Sequence, residues 1–194
     1  MRQIFGRGRR GVATFDMLSL LLLSGLAAGV FWPARDPVQR QLDSDARAVM
    51  NALLDGRRAA RVAAKPMLVE LEPIRRIVHV AVDRNGDGAV SRAEVVHDVT
   101  LGDDVMFGLP ESIPSRPFGA EGIAGRVTKA GTVVLRLETA VKVSQPSGFY
   151  LATSRALRTG TTHDEEVLAI ELAGVQGTIA AWRPDSDGGW ARRF

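Results

Sequence analysis

The chain has 194 residues, 45% hydrophobic and 24% charged, with 25 Lys and Arg against 22 Asp and Glu and no cysteine. The lack of cysteine excludes a disulfide framework, a thiol nucleophile and a thiolate-held metal. Four arginines precede residue 11, so the remainder carries 21 basic against 22 acidic side chains, a net −1 that implies no nucleic-acid partner.

Arg2, Arg7, Arg9 and Arg10 form a short basic leader ending at Gly11. Val12-Ala13-Thr14-Phe15-Asp16 follows, and then an apolar run, Met17 to Trp32, stopped by Pro33. Val12 to Trp32 is 21 residues, roughly 31 Å as a helix and so the thickness of a bilayer core. The leader arginines predict a cytoplasmic N-terminus, with everything after Pro33 outside. A secretory signal places its small-residue cleavage site after the apolar core; here the candidate site, Gly11, precedes it. Hydropathy alone fits an uncleaved signal anchor equally well. Asp16 adds to this, because a lone charge beside hydrocarbon is costly and usually marks function.

Gly11 before Val12, with an acid five residues after the glycine at the head of the apolar run, resembles the class III signal of type IV pilins and type II secretion pseudopilins. That resemblance implies a prepilin peptidase that cuts between Gly11 and Val12 and N-methylates Val12. It also implies that Asp16 pairs with a neighbouring subunit's new α-amino group, since a charge in lipid is tolerated when paired. Family members usually have glutamate at the place of Asp16, and often phenylalanine at that of Val12. Gly25 and Pro33 also fall where pilins tend to have glycine and proline.

After Pro37, Val38, Leu42, Ala46, Val49, Leu53 and Leu54 recur at three- and four-residue steps among Arg40, Asp43, Asp45, Arg47 and Asp55. This predicts an amphipathic helix to about Ala64, closed by Pro66. Gly56 in its middle is unfavourable for a helix. From Met67 the period changes. Short β-type runs cover 67–71, 77–82, 133–137, 148–152, 167–172 and 177–182, separated by Gly, Pro, Asp and Ser turn clusters. No βαβ alternation appears, so an antiparallel sheet is expected. Leu109 to Gly125 is rich in Pro and Gly and reads as a loop. The expected fold class is α+β: a long N-terminal membrane-spanning helix packed on an antiparallel β-sheet domain, as in pilin-like folds. Its divisions are a leader at 1–11, a transmembrane and assembly helix at 12–33, an amphipathic continuation at 34–65 and a β-rich periplasmic domain at 66–194.

Arg57, Arg58 and Arg61 near the helix end, the Asp/Asn/Gly-rich turn from Asp83 to Gly88, Gly131 before a β run and the Gly177-Thr178-Ile179…Trp182 stretch are similar to GspH/FimT-type minor pseudopilins. The resemblance implies a non-enzymatic structural subunit. It would be anchored in the bacterial inner membrane with a periplasmic domain, meeting other subunits through N-terminal helices and priming or capping a filament.

Asp83-Arg84-Asn85-Gly86-Asp87-Gly88-Ala89-Val90-Ser91-Arg92-Ala93-Glu94 fits the twelve-residue EF-hand calcium loop. Asp83, Asn85 and Asp87 would give side-chain oxygens, Ala89 its carbonyl, Ser91 a direct or water-borne ligand, and Glu94 two oxygens. Calcium is a hard ion that takes six to eight oxygens. Arg75 to Val82 ahead of the loop reads as a strand, however, and Asp, Asn and Gly also suit a hairpin tip. No cofactor is required; a structural calcium ion is the candidate, and a membrane-tethered calcium-binding module is the alternative to the pilin-like subunit. His79, His97 and His163 show no zinc spacing. Gly119, Gly122 and Gly125 lie in the Pro-rich loop, and Trp182 and Trp190 flank a turn and suit core packing or a partner contact. Nothing assembles a nucleophile, a base and an orienting group, so a tethered hydrolase is disfavoured.

Overall fold

The computed structural model describes residues 36–115, 126–127, 131–137, 147–160, 166–172, 178–185 and 187–193. The chain divides into two compact units, Met1–Arg35 and Asp36–Phe194. The leader, Gly11, Val12, Asp16 and the apolar run belong to the first and lie outside the described residues, as do His163 and the three loop glycines 119, 122 and 125.

Helix α1 (Pro37–Ala63) opens the second unit. Asp36 is its N-cap, with the side chain accepting from the Val38 N–H at 3.0 Å. Pro37 stands at the first helical position, where a missing N–H leaves no bond unmade. At the other end Ala64 turns left-handed and donates its N–H back to the carbonyls of Ala60 and Arg61. Leu42, Ala46, Val49, Leu53 and Ala60 form the buried stripe.

Two five-stranded antiparallel sheets follow. The first joins β1 (Met67–Glu72), β2 (Ile77–Val82), β3 (Val95–Thr100), β5 (Arg126–Val127) and β6 (Val133–Leu137) in the order β3-β2-β1-β6-β5. The second joins β4 (Val105–Phe107), β7 (Ser147–Thr153), β8 (Val167–Leu172), β9 (Ile179–Pro184) and β10 (Trp190–Arg192) in the order β10-β9-β8-β7-β4. A short helix, α2 (Ser154–Thr159), continues directly from β7 and is capped by the Thr153 hydroxyl. Helix α1 touches both sheets. One core therefore unites Leu42, Val49 and Leu53 with Val69, Val80 and Leu135 of the first sheet and with Phe149, Leu151, Leu168 and Ile170 of the second.

The outward faces are covered too. Leu68, Ala81 and Val134 lie under Val90 and Val95, while Tyr150 and Ala169 lie under Leu109, Trp182 and Trp190. Strands apolar on both faces lose the alternation of a half-buried strand. This is why β1, β2, β7 and β8 read as nearly continuous apolar runs.

The expected fold class is corrected on two counts. No helix among the described residues is long and apolar enough to cross a membrane. Helix α1 begins at Pro37 with its own cap and interleaves arginines and aspartates, so its apolar surface is one stripe. The strands also form two sheets that share α1, not one sheet beneath it. The chain moves between sheets after β3, where Gly102 to Asp104 turns into β4. Two other bonds hold this junction. Asp45 accepts from the Gly102 N–H at 2.7 Å, and the Arg76 guanidinium reaches the Asp103 carboxylate at 2.7 Å.

Candidate functional site

The segment from Asp83 to Glu94 connects β2 to β3, so its flanks are paired antiparallel strands and not helices. Its Asp, Asn, Ser and Glu side chains all have partners in the chain. The two Asp83 oxygens accept from the Gly86 N–H at 2.7 Å and from the Arg136 guanidinium at 3.0 Å. Asn85 accepts from the Asp87 N–H at 2.9 Å, and Asp87 from the Ala89 N–H at 2.8 Å. One Glu94 oxygen accepts from the amides of Arg84 and Asn85 at 2.9 and 3.1 Å, and the other accepts from the Ser91 hydroxyl at 2.7 Å. Gly86 and Gly88 supply the positive φ angles the turns require. Val90, the apolar position of the motif, packs on the outer face of the first sheet.

Asp83, Asn85, Asp87, Ala89, Ser91 and Glu94 are thus brought together as the sequence spacing suggests, but folded as a string of Asx-type turns. They do not fit a calcium shell as arranged. A guanidinium, itself a cation, already faces Asp83, and both Glu94 oxygens accept from N–H or O–H donors. Among the described residues no group of three or more His, Asp or Glu side chains is placed to hold a metal ion. The Ser91 hydroxyl and then the Asn85 and Arg84 amides hold the Glu94 carboxyl below its ordinary pKa, against the opposing effect of burial. Such a group stabilises the loop above the ordinary carboxylate pKa, and the contribution is lost as pH falls through the lowered value. Glu94→Gln is expected to accelerate hydrogen exchange at the Arg84 and Asn85 amides at neutral pH. Unchanged protection would show that the carboxylate does not organise the loop.

A second cluster sits on the outward face of the same sheet. His79 of β2 stands opposite Glu70 of β1 and Asp98 of β3 in register. Its Nδ1 lies 2.6 Å from Asp98 and its Nε2 3.6 Å from Glu72, while Glu70 also accepts from the Thr132 hydroxyl at 2.8 Å. Burial opposes protonation of the ring. The hydrogen bond and charge of Asp98, joined by Glu72 and Glu70, outweigh it and raise the His79 pKa. A raised histidine contributes stability fully present below its unfolded pKa of about 6.5 and lost as pH climbs through the higher folded value. The melting temperature is therefore expected to drop as pH rises above the ordinary histidine range, by an increment that His79→Gln removes. An identical pH profile in the variant would show that the three carboxylates do not engage a charged ring. Alternation of Glu70 with Glu72, and of His79 within an apolar run, was the sequence signal for this outward face.

His97 is on β3, 3.7 Å from Asp55 of α1, and forms no cluster with His79. Trp190 lies with its ring 5.7 Å from that of Tyr150 and donates its indole N–H to the Pro114 carbonyl at 3.0 Å, strapping the 109–114 segment to the second sheet. Trp182 packs beside it over Tyr150 and Ala169. Both tryptophans thus serve packing. Arg155 bridges the Asp36 cap, at 3.3 Å, and the fully buried Glu166, a link that carries no motif in the sequence. No protein-family model, curated protein or solved structure matches the chain.

Proposed function

We propose that this chain is a minor pseudopilin or pilin-like structural subunit of a type II secretion or type IV pilus assembly, of the GspH/FimT kind. The observation that carries this is the order of basic leader, Gly11, Val12, Asp16 and apolar run. A small residue before the apolar segment, and a single carboxylate at its head, make sense if cleavage leaves that segment on the mature chain. In this scheme a prepilin peptidase cuts after Gly11 and methylates the Val12 amine. The apolar run holds the protein in the inner membrane with the β-rich unit outside. Asp16 then pairs with the freed amine of an adjacent subunit as the chain enters a filament, which it primes or caps.

Gly11→Ala is expected to abolish processing, so that mass spectrometry of the membrane fraction finds the chain with its basic leader. The unaltered protein in a host with a working prepilin peptidase should instead begin at N-methylated Val12. Recovery of the unaltered chain starting at Met1 from such a host would falsify the proposal.

A further inference from the structure

We infer that the exposed ridge of α1 is a docking surface for an acidic face of another polypeptide. Arg40, Arg47, Arg58 and Arg61 are all exposed, and exposed Lys65 follows directly after the helix cap. At about 100° per residue, Arg47 and Arg58 return to within about 20° of Arg40 and Arg61 to within about 60°. The four guanidinium groups therefore line one edge of the helix for about 31 Å. Two acids adjoin that edge. Asp43 lies at the angle of Arg61 but turns to Arg183, and Asp55 is bonded to Arg58 of the ridge, while Asp45 is buried against the Gly102 N–H. Arg40, Arg47 and Arg61 have no such acid beside them among the described residues.

Helix energetics account for part of this arrangement only. Asp36 caps the N-terminus, and Arg61 and Lys65 suit the negative C-terminal end of the helix dipole, whereas Arg40 in the first turn is disfavoured by it. Arg57 and Arg61, four residues apart, repel each other; burial and that neighbour lower the Arg57 pKa. Among the described residues Arg40, Arg47, Arg61 and Lys65 form no ion pair. A row of exposed cations along a helix is complementary to a row of carboxylates, which would steer association and set register. A lipid surface is the poorer occupant. Amphipathic helices that lie on membranes insert an apolar face, and here Leu42, Val49 and Leu53 are fully buried in the core. Ser44, Ala48 and Asn51 leave short side chains on the same exposed side, room for a partner backbone to approach.

The inference goes beyond the pilin-like proposal and does not depend on cleavage at Gly11, because it stands on residues 37–65. The test uses the full chain in detergent and a labelled helical peptide with glutamate at every third or fourth position, beside its glutamine counterpart. The unaltered chain should bind the glutamate peptide saturably and not the glutamine one. Combining Arg40→Gln, Arg47→Gln, Arg61→Gln and Lys65→Gln should weaken binding at least about tenfold. The same charge loss elsewhere, through Arg84→Gln, Arg92→Gln, Arg192→Gln and Arg193→Gln, should change it less than about twofold. Equal weakening by both sets, or no binding by the unaltered chain, would overturn the inference. So would ridge-dependent binding to phosphatidylglycerol vesicles without peptide binding, which assigns the ridge to lipid. Ridge-dependent self-association in sedimentation, without peptide binding, would likewise overturn it in favour of a second copy.

Discussion

Gly56→Ala is expected to destabilise the domain, although alanine is the better helix former. A Cβ at this position would stand 2.2 Å from Val80 Cγ1 and 3.2 Å from Met67 Sδ, so α1 meets the first sheet here at backbone distance. Helix propensity would favour alanine by up to about 1 kcal/mol. Overpacking a dense core costs about 1–3 kcal/mol, and Val80 cannot yield easily because it is fully buried among core neighbours. The net expectation is a loss of up to about 2 kcal/mol for alanine, and of about 3 kcal/mol or more for leucine at the same place. Urea denaturation would measure both. Val80→Ala alone should cost about 2 kcal/mol through lost burial and a cavity. Combined with Gly56→Ala it should cost distinctly less, because the added methyl occupies the vacated space. Strict additivity of the two substitutions would mean that α1 simply shifts away, and that the close approach does not matter.

Gly56 also shows what the sequence could and could not convey. In a one-dimensional reading it weakens a helix; in three dimensions it permits the helix to sit where it does. The amphipathic stripe from Leu42 to Ala60 was legible because burial on one side imposes a 3.6-residue period. The limits of β2 and β6 were legible because compact Val- and Ile-rich runs end at turn residues. The number of sheets was not. Leu68, Ala81 and Tyr150 point away from the main core yet are covered by Val90, Leu109 and Trp190, and no local period reports which strand lies beside which. The segment from Asp83 to Glu94 was legible as a turn-rich loop but not in its internal bonding. The residue types that ligate calcium also accept backbone N–H groups in tight turns, and the contact of Asp83 with Arg136, about fifty residues later in the chain, carries no local signal. Strands β4, β5 and β10 were missed because very short edge strands carry little apolar signal: β4 and β10 have three residues each and β5 two.

Asp43→Ala should be strongly destabilising. Asp43 lies in the second turn of α1 and pairs with Arg183 at the end of β9, so the contact ties the helix to the second sheet. The Arg183 side chain is 9% exposed, and its Nε has no hydrogen-bond partner among the described residues. Removing the aspartate leaves a guanidinium in the core without its counter-charge, a defect of about 3–5 kcal/mol. That is a large part of the total stability of a domain, about 5–15 kcal/mol. Replacing both partners removes the charge along with its need for a counter-ion. Asp43→Leu with Arg183→Met should therefore regain most of the loss and come within about 1 kcal/mol of the unaltered protein, or exceed it. Added salt should leave the difference between single and double variants nearly unchanged, since a buried pair is weakly screened. A small effect of Asp43→Ala would mean that Arg183 swings out to water, and that the start of α1 is held by Asp45 and Asp36 without it.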